Sequence, residues 1–324
     1  MRIFMMAIAF VCLCWQDASA LAQAEPASES ASRSVLVIIG APGEPVYSET
    51  FQQSGERWKS ALQATSHFSL IDGTDSSKKG DATDHAKIMD WIANRSESKE
   101  RWLVFIGHGT SDRDASKFNL RGPDISADEL SKQISNQPAK WVIINCASSS
   151  GPFINALSGK NRVVITATKS GSEQNYARFG EYLSQSLRDP TADLDHDESI
   201  SILESFLAAS NRVAQFYSNE ERLASEQALI DDNGDKKGTP AAFYRGARPV
   251  KAPADGLQLD GPMASRVIVS TFGKAPVWTA EQREKIESLE LLVEELRKKK
   301  NDMNEDDYYQ QLEHIFFQII EART

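Results

Sequence analysis

Two residues of this chain could pair a nucleophile with a proton carrier, and each stands at the end of an apolar run. Trp102-Leu103-Val104-Phe105-Ile106 leads into Gly107-His108-Gly109, and Trp141-Val142-Ile143-Ile144-Asn145 leads into Cys146-Ala147-Ser148-Ser149-Ser150-Gly151. A thiol attacks as its thiolate and needs a neighbour to protonate the leaving group, which is work for an imidazole. Gly109 adds close backbone approach and an N–H able to face a developing oxyanion. Cys146 is the only cysteine beyond the first 24 residues, since Cys12 and Cys14 fall within them. The alternative reading of the same residues is a small buried cysteine and a loop-end histidine, both structural.

A second group is acidic. In Asp193-Leu194-Asp195-His196-Asp197-Glu198-Ser199-Ile200-Ser201-Ile202-Leu203-Glu204, carboxylates fall at loop positions one, three and five. Ser199 and Ser201 come at seven and nine, Ile200 fills the hydrophobic eighth place and Glu204 closes at twelve. This is the spacing of a calcium loop, and Asp193, Asp195, Asp197, Ser199 and Glu204 are its expected ligands. Glu198 stands where such loops carry the glycine of the sharp turn. The competing reading is an acidic loop that caps the next helix. Asp231-Asp232-Asn233-Gly234-Asp235-Lys236-Lys237-Gly238 lacks a closing acid and reads as a solvated turn. His67, His85, His196 and His314 share no metal spacing, and neither a phosphate-binding glycine loop nor a serine-hydrolase elbow is present.

The elements that must position these residues emerge from periodicity. Ser34–Ile39 is a continuous apolar run, the mark of a strand covered on both faces. A helix is expected over 48–63, a strand over 67–71 and a helix over 84–95. The strand ending at His108 comes next, then a polar loop over 110–124. Ser126 and Glu129 form a capping box that opens a helix, and the strand ending at Cys146 comes after it. Such a strand–helix–strand unit makes its strands parallel, so His108 and Cys146 reach the same carboxyl edge, where open α/β sheets bind ligands. A further strand is expected over 161–168, helices over 174–188, 199–217 and 219–229, and a short strand over 266–270. Thr279 and Gln282 form a second capping box. Ile286, Leu289, Val293 and Leu296, then Tyr308, Leu312, Ile315 and Ile319, mark a C-terminal helical hairpin that could dock a partner.

Composition narrows the function classes. The chain has 324 residues and a net charge of −10; Arg2 and Asp17 cancel, so removal of the first 24 residues leaves −10. That charge, without a dense basic stripe, argues against nucleic-acid binding. Residues 1–24 read as a signal peptide: Arg2, then an apolar stretch from Ile3 to Trp15 too short to span a bilayer, then the small-residue patterns Ala18-Ser19-Ala20 and Ala20-Leu21-Ala22. An exported chain with no integral membrane segment after signal removal is expected. Residues 25–33 read as a flexible leader, 34–246 as one α/β domain, 247–278 as a linker and 279–324 as the hairpin.

Ile106-Gly107-His108-Gly109 and Ile144-Asn145-Cys146-Ala147 resemble the His-Gly and Cys blocks of the caspase/legumain superfamily of cysteine peptidases. Arg162–Thr168 and Glu173-Gln174-Asn175-Tyr176-Ala177 are most similar to the legumain branch, and the resemblance spans roughly Ser34 to Leu187. It implies a caspase-like three-layer α/β sandwich with a mainly parallel sheet. It further implies Cys146 as nucleophile, His108 as acid/base, the N–H groups of Gly109 and Cys146 as oxyanion hole, a peptide or protein substrate and no metal in the chemistry. Ile144 stands where legumains carry an acidic residue, and Pro42 where they carry an asparagine. Two functions are therefore expected in competition: an exported cysteine endopeptidase hydrolysing peptide bonds through a thioester, and a catalytically inactive caspase-like binding or scaffold protein. Calcium, in either case, would be structural.

Overall fold

The computed structural model describes residues 33–73, 82–94, 97–113, 115–135, 137–251, 258–272 and 279–323. The expected signal segment and all of the leader but Arg33 lie outside them.

The central sheet is built from strands β1 (Arg33–Ile39), β2 (His67–Ile71), β3 (Glu100–Ile106), β4 (Lys140–Asn145), β5 (Arg162–Thr166), β6 (Leu229–Asp231) and β7 (Thr239–Pro240), in the spatial order β7-β6-β5-β4-β3-β1-β2. β1 to β5 run parallel, and β6 and β7 add an antiparallel edge. Alternation along β1 shows why its sequence is unbroken apolar: Val35, Val37 and Ile39 enter one core, Leu36 and Ile38 the other. Helices α1 (Pro45–Leu62), α5 (Phe179–Ser186) and α6 (Ile202–Asn219) cover the first face. The second is covered by α2 (Asp84–Ala93), α3 (Ala127–Ile134) and α4 (Pro152–Leu157). The three-layer sandwich with a mainly parallel sheet is thus what the chain adopts.

Several expected elements shift, each for a local reason. The helix expected over 174–188 starts only at Phe179, because the Glu226 carboxylate accepts the N–H groups of Arg178 and Phe179, both at 3.0 Å, and fixes the helix start there. No helix spans 219–229. Glu221 takes a φ of 51° that ends α6, and Leu229–Asp231 instead pairs with β5. The polar loop over 110–124 folds into small strands at 109–111 and 116–118, joined by 125–126, anchored by fully buried Phe118. The expected linker is described over 247–251 and 258–272: the first part is largely exposed, whereas the second is packed into the body, Ile268–Thr271 pairing with Ser199–Ser201 and Asp260, Val267 and Val269 being buried.

Beyond the sandwich, α7 (Ala280–Lys298) and α8 (Glu305–Arg323) form the expected hairpin, with a small core of their own from Ile286, Leu289, Val293, Ile319 and Ala322. The expected capping box at Thr279 and Gln282 is closed on both sides, as is one at Ser201 and Glu204. At Ser126 the hydroxyl accepts the Glu129 N–H at 3.2 Å. Among the described residues no helix is long and apolar enough to cross a membrane.

Candidate functional site

β3 and β4 are register neighbours, Phe105 opposite Asn145, so His108 and Cys146 do leave the sheet at one carboxyl edge. The surroundings of the two side chains differ. The His108 ring is half-buried in an aromatic cage, with ring centroids 4.8 Å from Tyr47, 5.3 Å from Phe51 and 6.2 Å from Tyr176. Its Nε2–H donates to the Pro42 carbonyl at 3.2 Å. Burial lowers the imidazole pKa, opposed by that hydrogen bond and by the Glu44 charge.

Cys146 turns into the core instead. It is 4% exposed and sits in the same apolar cluster as Ile144, Phe51 and Phe179. The first turn of α5 lies on it: a side chain at Gly180 would put its Cβ 2.5 Å from the Cys146 Cβ and 3.1 Å from Sγ. Burial pushes the thiol up to about 12. Tyr176 packs edge-on to His108 and lies against the apolar cluster that holds Cys146. Burial is also the main cause of its own raised pKa.

Neither N–H of the implied oxyanion hole points to open space. The Cys146 N–H donates to the Phe105 carbonyl at 2.9 Å, extending the β3–β4 ladder by one residue. The Gly109 N–H is directed at Ser148 Oγ, 3.4 Å away, and that hydroxyl donates to the Gly109 carbonyl at 3.2 Å. The small-residue loop after Cys146 is roofed over. Ser148, Ser149, Ser150 and Gly151 are buried; Ser149 donates its N–H to the Glu173 carbonyl, and Gly151 donates its own to Thr168 Oγ1. A Cβ at Gly151 would lie 2.4 Å from the Lys169 carbonyl carbon, so only glycine lets the two loops meet.

The acidic loop has the opposite character. Carboxylate oxygens of Asp193, Asp195 and Asp197 lie within 4.8 Å of one another, the first residue buried and the other two exposed. The Asp193 carboxylate accepts the N–H groups of Asp197 and Glu198, both at 3.2 Å, so the chain wraps around it. Glu198 takes a φ of 67°, the left-handed turn reserved for glycine in calcium loops, so this departure leaves the turn intact. Partial burial raises the Asp195 pKa to about 6, helped by the charges of Glu204, Asp197 and Asp193. Two expected ligands stand apart. Ser199 donates its hydroxyl to Asp197, and both Glu204 oxygens are engaged, one by the N–H of Leu194 and Asp195, the other by the N–H and hydroxyl of Ser201. The group the structure assembles is therefore the aspartate trio, with Glu204 serving as the cap of α6. The Asp231–Gly238 stretch is more than a solvated turn: Asp231 is fully buried, with Ser158 donating to it.

Reasoning from sequence missed Tyr176, Gly180, Ser148 and Glu226. Gly180 carried a signal, since a glycine inside a helical pattern marks close approach.

No family model matches the chain, and no curated protein matches it. Solved structures similar to it include the Drosophila initiator caspase Dronc, at 14% identity and a TM-score of 0.39, with 64% of this chain and 81% of that one covered. Protein GSU0716 from Geobacter sulfurreducens is similar at 12% identity and a TM-score of 0.40, covering 63% and 94%. Raptor from Chaetomium thermophilum is similar at 9% and 0.32, covering 49% and 19%. All three scores lie below 0.5, so the functional reading rests on the geometry of this chain alone.

Proposed function

We propose that this chain is an exported, caspase-like binding or scaffold module without peptidase activity, and that calcium held by Asp193, Asp195 and Asp197 stiffens its acidic loop. The observation that carries the first part is the Cys146 side chain: a nucleophile must be exposed and ionised, and this thiol is sealed under Gly180 with its pKa pushed up to about 12. The engaged N–H groups of Gly109 and Cys146 support the same reading, because a carbonyl oxygen brought to this edge would meet no free pair of donors. The position of His108 on the same sheet edge as Cys146 favours the competing reading of a cysteine peptidase held closed.

Alkylation of the sole cysteine of the chain from residue 25 onward decides between them. At pH 8 a thiol near 12 is ionised to about one part in 10⁴, against roughly a quarter for a free thiol near 8.5. Ionisation alone then slows native labelling about 10³-fold relative to the urea-unfolded chain. Labelling in the native state with a midpoint below 8.5, together with cleavage of a peptide library lost in Cys146→Ala, would establish the peptidase and sink the proposal. Calcium is tested separately, by a rise in Tm on adding CaCl₂ that is absent in Asp193→Ala.

A further inference from the structure

Two aspartates hold residues 258–264 to the antiparallel edge of the sheet, each capping the other's backbone. Asp232 follows β6, and its carboxylate accepts the N–H groups of Gly261 at 2.8 Å, Met263 at 2.7 Å and Ala264 at 2.8 Å. Asp260 returns the contact. Its Oδ1 accepts the N–H groups of Asp232 at 2.9 Å and Asn233 at 3.2 Å, and its Oδ2 accepts the Thr239 hydroxyl of β7 at 2.6 Å. The Tyr244 hydroxyl donates to the Asp260 carbonyl. All four carboxylate oxygens of the pair therefore meet donors of the protein.

This clasp is crowded with negative charge. Asp231, Asp232 and Asp260 are 0%, 5% and 1% exposed. Asp231 Oδ1 accepts the Ser158 hydroxyl and the Gly234 N–H, whereas its Oδ2 is buried with no partner among the described residues. The charges of Asp232 and Asp231 bear on Asp260, that of Asp235 bears on Asp231, and Arg266 brings a positive charge to Asp232. The Tyr244 phenol faces Asp232 and Asp260 as well. Carboxylates buried together do not all ionise, because each charge raises the cost of the next. Burial first, then the charges of Asp232 and Asp231, push Asp260 up to about 7, and burial raises Asp232 and Asp231 in the same direction.

We propose that the Asp232–Asp260 clasp is a proton-operated latch, which fastens residues 258–264 while Asp260 is protonated and slackens when Asp260 ionises. The neutral carboxyl keeps every bond of the clasp, since Oδ2–H can donate to Thr239 Oγ1 while Oδ1 accepts the two N–H groups. The ionised one sets a charge beside Asp232 and Asp231 and away from water. A released Asp260 would titrate near the ordinary value of about 3.9. The docked segment thus binds the proton more tightly than the released one, and docking is strongest in acid. From these two values docking weakens about 100-fold between pH 5 and pH 8. The latch governs the stretch that follows it, where Ile268–Thr271 pairs with Ser199–Ser201 ahead of α6. The proposal is independent of whether Cys146 reacts.

Native-state hydrogen exchange of the full chain is the test, read by mass spectrometry on peptides over 258–266 and over β3 and corrected for the intrinsic pH dependence of exchange. Protection over 258–266 should fall about 100-fold from pH 5 to pH 8, while that of β3 changes far less. Asp260→Asn replaces the carboxyl by a neutral group of the same shape, whose Nδ2 can donate to Thr239. It should keep the segment protected at both pH values and flatten the profile. Asp260→Ala should lower protection at both. A parent chain whose 258–266 protection is independent of pH overturns the proposal, and so does a slope that survives Asp260→Asn. Loss of protection in Asp260→Asn already at pH 5 would mean that the charge itself fastens the segment, which overturns it too.

Discussion

The carboxyl edge at His108 and Cys146 and the acidic loop over 193–204 were both marked by residue types suited to chemistry, yet they end in opposite surroundings. At the edge Cys146 and the serine loop are buried and bound up in their own hydrogen bonds; the loop is exposed at Asp195 and Asp197 and keeps three carboxylates together. The difference is one of distance along the chain. Loop ligands lie within twelve residues, so spacing alone sets their geometry. The environment of Cys146 is made by residues 168–180, which come a strand and a helix later, and by Phe51 and Tyr47, which come nearly a hundred residues earlier.

The sharpest way to break this contrast is to disturb the seal. Gly180→Ala forces a Cβ to within 2.5 Å of the Cys146 Cβ, an atom that cannot swing aside. The expected cost is about 1–3 kcal/mol of stability, the usual range for overpacking a tight core, measured by urea unfolding. Cys146→Gly in the same chain should return part of it, and a cost unchanged by that second substitution would mean the contact is not the cause. Next in size is Tyr176→Ala. Removing a ring packed on Tyr47, Phe51 and His108 at the edge of the Cys146 cluster should raise native alkylation about tenfold or more, at some cost in stability from the lost ring contacts, whereas a parent-like rate would show that α5 alone closes the site.

Much of the fold was legible because its signals are local. The apolar runs of β1, β3, β4 and β5 announced strands covered twice, and the capping residues at Ser126 and Thr279 announced helix starts. The expected helix over 219–229 failed because its residues are committed by tertiary partners: Glu226 to the start of α5, Leu229 to β5. The 247–278 stretch looked like a linker through its Gly/Pro/Ala content, yet Asp260 within it is nearly inaccessible and takes N–H bonds from Asp232 and Asn233. The site was legible as a place and not as an environment. That His108 and Cys146 share an edge is a consequence of strand–helix–strand topology, but whether a thiol at that edge faces water depends on a glycine 34 positions on.

On the loop side, calcium removal is the informative change. Chelation should lower Tm by a few degrees, and Asp195→Asn or Asp197→Asn should shrink the response while leaving Cys146 labelling as slow as before. Any change in labelling would tie the two regions together.

The smallest effect concerns protons at the same aspartates. Asp195 has its folded pKa raised to about 6, above the roughly 3.9 of an unfolded aspartate. A raised carboxyl contributes stability that is complete below the unfolded value and is lost as pH rises through the folded one. In EDTA the chain should therefore lose stability between about pH 4 and 6 through this group. Because Asp195 is largely solvent-exposed, screening reduces the effect to about 0.5 kcal/mol. Asp195→Asn should flatten that slope. Calcium reverses the sign, because the ion binds the carboxylate and not the acid, so its stabilisation should grow over the same interval. A urea midpoint that falls with pH in EDTA and rises with pH in CaCl₂ would show proton and cation competing for one aspartate. Parallel slopes in the two buffers would mean that the trio holds no ion.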